Sequence, residues 1–182
     1  MKSICQILQY LSRIGAASIL IQAAVSARAE LQPLPCTLIT LDNGLRVVFM
    51  EKHDTPVVAL RAYVHVGSVF EGEFLGCGIS HYAEHLVCGG STHTRPEEES
   101  GVLMKELGDE VNAYTTFDHT CYHITTTRTH WRTAAELLAD WLANNALVSN
   151  QVAREKEVIL QEIRMDEEDP DSIAAHMGGS YC

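Results

Sequence analysis

Apolar and polar positions alternate with period two in some stretches of this chain and recur every three to four residues in others, and the switches between the patterns mark out its elements. Thr37 to Leu41 and Leu45 to Glu51 alternate on either side of Asp42-Asn43-Gly44. An Asn-Gly pair between two such runs is the strongest short hairpin signal, so two antiparallel strands are expected. Pro56 to Val66 reads as a longer apolar strand, followed by a Gly-rich run from Gly67 to Gly78 that feeds a helix stopped by Gly89-Gly90. Pro96 opens a second helix, with Glu97, Glu98 and Glu99 in its first turn and Gly108 just past Leu107. Two strands follow, about Glu110 to Thr116 and His119 to Thr127. Helical spacing then runs over Trp131 to Leu147 and Val152 to Glu168, where Leu137, Leu138, Trp141 and Leu142 form an apolar stripe that belongs to a core. Antiparallel strands followed by packed helices predict an α+β fold, a largely antiparallel sheet packed against helices.

The first predicted helix carries the pentad His81-Tyr82-Ala83-Glu84-His85. Four residues apart on a helix, His81 and His85 present both imidazoles to one ion from a single face. Glu84 then stands beside the ion without having to bind it. His-x-x-Glu-His is the inverzincin arrangement. Zinc in a hydrolytic site takes three protein ligands and acidifies water in the remaining position, and a neighbouring carboxylate accepts the proton and passes it on. Glu84 is the candidate general base and acid. His119 and His123 are also four apart, but in a strand that spacing separates them by about 13 Å. They read as ordinary surface or core histidines.

The sequence around the pentad resembles the pitrilysin/insulinase family of zinc metallopeptidases over about residues 38 to 171. The resemblance runs from Leu41-Asp42-Asn43-Gly44-Leu45-Arg46-Val47 through Pro56-Val57-Val58, Gly67-Ser68, Glu71 and Gly76 to the pentad. It continues through Gly89-Gly90-Ser91, Asn112-Ala113-Tyr114-Thr115, Asp118, Thr120 and Tyr122, and closes on Arg154 to Ile163 with Asp169-Pro170 beyond. Two departures are visible: Tyr82-Ala83 where two bulky apolar residues are usual, and Ser91 where Thr is usual. The resemblance implies one zinc ion held by His81, His85 and Glu162, with Glu155 in a supporting role beside a ligand. Seven residues apart on a helix, Glu155 and Glu162 share a face, whereas Glu157 lies about 140° away and is expected in solvent. The resemblance further implies that Asn112, Ala113 and Tyr114 lie on an edge strand that binds an extended peptide, and that Asn112 could hold the scissile carbonyl. It also implies a second, homologous half closing over the first, so residues 30–182 are expected to be an N-terminal zinc-binding half-domain without that second half. The implied function is a zinc metalloendopeptidase acting on peptides or extended unfolded segments, with a homologous C-terminal half or second subunit as partner. The alternative is a non-catalytic or partner-dependent peptide-binding subunit, or a fragment of such a peptidase. A compact cytosolic lyase, the S-ribosylhomocysteine lyase, also uses His-x-x-Glu-His. Its third ligand is a cysteine, and here none lies between Cys121 and Cys182.

Residues 1–29 contain Lys2, Arg13 and Arg28 and no acid, with an apolar stretch from Ile14 to Val25 and Ala27-Arg28-Ala29 before Glu30. A secretory signal peptide cleaved after Ala29 is expected, and with it a secreted or periplasmic location. The apolar stretch is shorter than the ~18 residues of a membrane span, so no stable span is expected. The alternative, a mitochondrial presequence, would be richer in Arg and amphipathic. Apolar content of 46% argues against disorder. The net charge of −11 makes nucleic acid an unfavourable partner. Cys36, Cys77, Cys88, Cys121 and Cys182 remain after processing, an odd number, and Cys77 and Cys88 beside the pentad are expected to be small buried apolar residues.

Overall fold

A computed structural model of the chain describes residues 36–108 and 110–168, except the side chains of residues 166 and 167. The expected signal peptide, Asp169-Pro170 and Cys182 lie outside the described residues. The chain divides into two compact units, at His53 and Asp54. In the first, β1 (Cys36–Thr40) and β2 (Arg46–Met50) pair antiparallel, Cys36 opposite Met50 and Thr40 opposite Arg46. The Asn-Gly turn forms as expected. Asn43 Oδ1 accepts from the Leu45 N–H at 3.1 Å, and Gly44 takes φ 86°, a left-handed conformation that only glycine adopts without steric cost.

The second unit runs β3 (Val57–Val64), a 3₁₀ segment (Ser68–Phe74), α1 (Ile79–Val87), α2 (Glu97–Leu107), β4 (Glu110–Thr115), β5 (Thr120–Thr127), α3 (Trp131–Asn144) and α4 (Ser149–Glu168). Its three strands are antiparallel in the order β3-β5-β4. Side chains alternate across this sheet as its pleat requires. Leu60, Ala62, Tyr122, Ile124, Val111 and Ala113 face the helices and pack with Leu107 of α2 and Ala134, Leu137, Leu138 and Trp141 of α3. Trp141, Leu137 and Ile124 are fully buried, each contributing roughly 1.5–3 kcal/mol through removal of apolar surface from water. On the opposite face Tyr63 and Tyr114 flank Cys121 in register. That flanking leaves Cys121 fully buried on a face that is otherwise largely open. Among the described residues no helix is long and apolar enough to cross a membrane.

The Gly-rich run after β3 makes two 3₁₀ turns separated at Gly72 (φ 59°, ψ −121°) before it reaches α1. Two local features differ from the sequence reading. The third helix stops at Asn144 rather than Leu147, and the fourth begins at Ser149 rather than Val152. The cause is tertiary. Asn145 Nδ2 donates to Leu86 O at 2.8 Å, the Ala146 N–H donates to Ser91 O at 2.9 Å, and the His93 N–H donates to Asn144 O at 2.8 Å. These bonds to the last turn of α1 and to the segment after it draw residues 145 and 146 out of the helix and end α3. Cys77 is exposed rather than buried, because Gly76 and Gly78 on either side take left-handed angles that turn this stretch at the surface.

Gly67 is required by close approach: a Cβ there would lie 2.3 Å from Thr116 O, where the Ser68 and Val69 N–H groups dock on the β4–β5 turn. The loop between α1 and α2 is pinned by Asp140 of α3. Its buried carboxylate accepts from the Thr92 and Thr94 hydroxyls, both at 2.7 Å, from Arg95 Nη1 at 2.9 Å and from Asn144 Nδ2 at 2.8 Å. Burial opposes the charge of Asp140, but the bonds from Asn144, Thr92 and Thr94 together with Arg95 outweigh it and hold the carboxyl below its ordinary value. A depressed folded value stabilises the protein above the unfolded value of about 4, and that stability disappears as pH falls through the folded one. Asp140→Ala leaves four donors and the Arg95 charge without their acceptor. It should lower the unfolding free energy by about 3 kcal/mol or more at pH 7, read by urea denaturation followed by tryptophan fluorescence.

Candidate metal centre

Helix α1 starts at Gly78, which holds φ 71° with Ile159 and Ile163 of α4 close against it. A distant acid caps this start: Glu71 Oε1 accepts from the Ser80 N–H at 2.8 Å. Tyr82, one of the two unusual residues inside the pentad, donates its hydroxyl to Val152 O at 2.5 Å. A phenol at this position thus ties α1 to the first turn of α4, which an aliphatic side chain could not do.

With the two helices so joined, α4 brings its acids to the histidines of α1. His81 Nε2 and His85 Nε2 stand 3.2 Å apart, and Glu162 Oε2 lies 3.6 Å from the first and 3.7 Å from the second. Four atoms bound tetrahedrally at roughly 2.0–2.1 Å from a zinc ion stand about 3.3 Å apart, so this triangle has the size of three corners of such a shell. The donor types, two imidazole nitrogens and a carboxylate, also suit that ion. With both imidazoles neutral, Glu84 and Glu162 carry two negative charges that a divalent cation would balance. The fit is therefore one of size, donor chemistry and charge.

Glu84 is buried, and the donor atoms of His81, Glu84 and His85 all lie within 4.8 Å of one another. One of its oxygens is taken: Thr115 at the end of β4 donates its hydroxyl to Glu84 Oε2 at 2.7 Å. Glu155 stands behind the triangle, where its Oε2 lies 3.3 Å from His85 Nδ1. That contact assigns the N–H of His85 to Nδ1 and leaves Nε2 as an acceptor toward the centre. Glu157 is exposed, as the helical angle predicts.

The substrate-binding candidates divide. Asn112 and Tyr114 are exposed and Ala113 half-buried, as alternation along β4 requires. The Tyr114 ring lies 5.8 Å from that of His119 and 6.1 Å from that of His123, away from the helices. Among the described residues β4 pairs only with β5, so one edge is open. Asn112 Oδ1 accepts from the Ala113 N–H at 2.9 Å, which places that N–H outside the β4–β5 ladder. By the alternation of strand backbone groups, Val111, Ala113 and Thr115 turn their main-chain groups to the open edge. A cleft of about 630 Å³ runs along this edge between His81, Glu84, Glu71 and residues 113–117. A second cavity of about 340 Å³ opens beyond Glu84 and is lined by Cys88, Met104, Asn112, Glu97, Arg154 and Glu155 among others.

Sequence reasoning missed the residues that surround Glu155. Arg154 binds Glu155 and Glu97, and Gln151 binds Glu97 and Ser91. Ser91 Oγ accepts from the Glu97 N–H at 3.0 Å, a role that needs only a hydroxyl and so accommodates Ser in place of Thr. The contacts that Arg154 and Gln151 make with Glu97 and Ser91 join residues more than 50 positions apart, so no local spacing signals them. The cysteine beside the centre has a testable property. Burial, and then the negative charge of Glu84, push the Cys88 thiol up to about 12. It stays protonated at pH 8, and thiols react as thiolates. Peptide mapping after brief iodoacetamide treatment at pH 8 should find exposed Cys77 labelled well before Cys88, and equal labelling would contradict this environment.

The chain matches the family Insulinase (Peptidase family M16) over residues 46–177. It is 33% identical over 134 residues to the uncharacterized zinc protease YmxG of Bacillus subtilis (strain 168), covering 74% of this chain and 32% of that protein. It is 36% identical over 135 residues to cytochrome b-c1 complex subunit 1, mitochondrial, of Bos taurus, covering 74% of this chain and 28% of the relative. Among solved structures, a protease from Helicobacter pylori superposes with a TM-score of 0.70 at 30% identity, covering 76% of this chain and 33% of that one. The chain thus spans about a third of the length of these relatives. Its antiparallel sheet with packed helices is the fold of these structures, and with the family match covering most of its length, the chain belongs to the insulinase family, peptidase family M16.

Proposed function

We propose that this chain is the metal-bearing half of a zinc metalloendopeptidase, with His81, His85 and Glu162 holding one zinc ion, Glu84 moving protons and the open edge of β4 holding an extended peptide. The observation that carries this reading is the triangle of His81 Nε2, His85 Nε2 and Glu162 Oε2, with sides of 3.2 to 3.7 Å and the Glu84 carboxylate beside it. Relatives named zinc proteases support the metal and the reaction class. A bound zinc ion supplies Lewis acidity, lowering the pKa of water toward about 7 and polarising a carbonyl.

The residues of the chain do the rest. Glu155 orients His85 through Nδ1, so that Nε2 keeps its lone pair toward the centre. Thr115 fixes one oxygen of Glu84, and the other is free to take a proton from water and return it to the leaving amine. An extended peptide adds to β4 as a further strand through the main-chain groups of Val111, Ala113 and Thr115. It displaces the Asn112 side chain from the Ala113 N–H, and the freed amide can then reach the peptide backbone. Tyr114 turns its main chain to Cys121 of β5 and its ring to the far face of the sheet, so it flanks the peptide-binding edge without presenting a group to it. Because the chain spans about a third of its relatives, a second homologous half, in a longer polypeptide or as a separate subunit, closes the cleft and completes the enzyme. Residues 1–29 direct export to the periplasm or outside the cell, the alternative being a mitochondrion.

A second reading, a partner-dependent peptide-binding subunit without turnover, is favoured by one relative, which is named as a subunit of a complex rather than as a protease. Two measurements separate the readings. Metal analysis should give about one zinc per chain, lost in His81→Ala. Glu84→Gln should keep the zinc and lower peptide hydrolysis by at least about 100-fold, because the amide cannot accept a proton. Stoichiometric zinc in a His81→Ala, His85→Ala, Glu162→Ala variant overturns the ligand assignment. Zinc binding without hydrolysis when a homologous second half is supplied favours the subunit reading.

A further inference from the structure

We infer that Arg154 is a positioning residue for the metal centre: with Glu97 behind it, it clamps Glu155 so that Glu155 can hold His85 as a ligand. The inference rests on the zinc reading above and extends it to residues that touch neither the ion nor the peptide. Arg154 Nε donates to Glu155 Oε1 at 2.9 Å and Nη2 approaches the same oxygen at 2.8 Å. Glu155 Oε2 is thereby left for His85 Nδ1, at 3.3 Å. The other side of the guanidinium forks onto Glu97, with Nη2 to Oε1 at 2.6 Å and Nη1 to Oε2 at 3.2 Å. Glu97 is itself fixed by Gln151 Nε2, which donates to its Oε2 at 2.8 Å and to Ser91 Oγ at 2.7 Å.

The result is a line of alternating charge, Glu97, Arg154, Glu155 and then His85, leading from the start of α2 through α4 to α1. The electrostatics explain why an arginine is needed. Glu155 shares its neighbourhood with the acids of the centre and, without Arg154, would face Glu97 across the same cavity. Its carboxylate would turn away from like charges and release the Nδ1 proton that sets the tautomer of His85. Only a planar fork serves two carboxylates at once, which a lysine ammonium does not reproduce.

Two blander roles compete. Arg154 is half exposed, and an exposed ion pair contributes little and influences nothing beyond itself. It also lines the 340 Å³ cavity, where it could contact a substrate side chain.

A double-mutant cycle on the full 182-residue chain distinguishes these roles, with zinc affinity from chelator competition as the readout and melting of the metal-free protein as the control for folding. Arg154→Met should weaken zinc about 10-fold, within the range for partners that orient a ligand, and Glu155→Gln should do so by about 10- to 100-fold. In the Glu155→Gln background Arg154→Met should cost less than about two-fold, because its effect passes through the carboxylate already removed. An equal loss in both backgrounds overturns the inference, as does unchanged zinc affinity in either single variant or an effect confined to the KM of a peptide. If Arg154→Met does not fold, Glu97→Gln loosens the same clamp from behind. It should weaken zinc several-fold in the parent and not in Glu155→Gln, and equal effects again count against the clamp. His81→Ala in the same series separates the two levels. Zinc retained at full affinity there sinks the metal reading itself, whereas zinc lost in His81→Ala but retained in Arg154→Met sinks only the role of Arg154.

Discussion

Everything at the candidate centre depends on the packing of α4 across α1. Two imidazoles on one helical face define a direction but not a site, because the acid that completes the triangle lies 77 positions beyond His85. Ile159 and Ile163 pack against Gly78 at the start of α1, and the Tyr82 hydroxyl reaches Val152 O in the first turn of α4. These contacts dock on α1 the face of α4 that also carries Glu155 and Glu162. Glu155 is largely shielded from water, where an unpartnered carboxylate would cost free energy, while Glu162 stays partly exposed; each meets a histidine. Apolar packing and polar pairing on one helix face therefore enforce the same register between α1 and α4.

A second constraint sets where that pair sits against the sheet. Thr115 ends β4 and touches Glu84, so the strand with the open edge and the candidate base are linked by one hydrogen bond of 2.7 Å. An extended peptide lying along β4 would pass the centre at a distance fixed by strand spacing. The scaffold behind this arrangement is polar as well as apolar. Asp140 holds the segment after α1, Asn145 holds the last turn of α1, and Glu97, Arg154 and Gln151 hold the start of α2 against α4. Such networks are costly when half satisfied and specify one arrangement when complete.

Much of the fold was legible in the sequence because its signals are local. The Asn-Gly turn, the alternation in β1 and β2, the apolar run of β3, the glycines after α1 and the stripe Leu137, Leu138 and Trp141 each follow from neighbours within a few residues. The end of α3 was misplaced by three residues because bonds from Asn144, Asn145 and Ala146 to distant segments override helical propensity there, and the start of α4 by three because Ser149, Asn150 and Gln151 are polar and carry no apolar spacing. The exposure of Cys77 was missed because composition does not reveal which side of a glycine-bounded turn faces water.

For the candidate site, the sequence alone determined which atoms could gather. His81 and His85 four apart, with Glu84 between them, and Glu155 and Glu162 seven apart on a later helix, follow from helical periodicity. That both sets belong to one centre came from the resemblance, since no periodicity relates residues 77 positions apart. Only the tertiary structure decided which carboxylate turns to which nitrogen: Glu162 toward both Nε2 atoms, Glu155 toward Nδ1 of His85, and Glu84 toward Thr115. It alone brought in Arg154, Glu97, Gln151 and Ser91, because an ion pair carries no sequence period. Its partners are chosen by which helices cross and at what angle, and that is settled by packing.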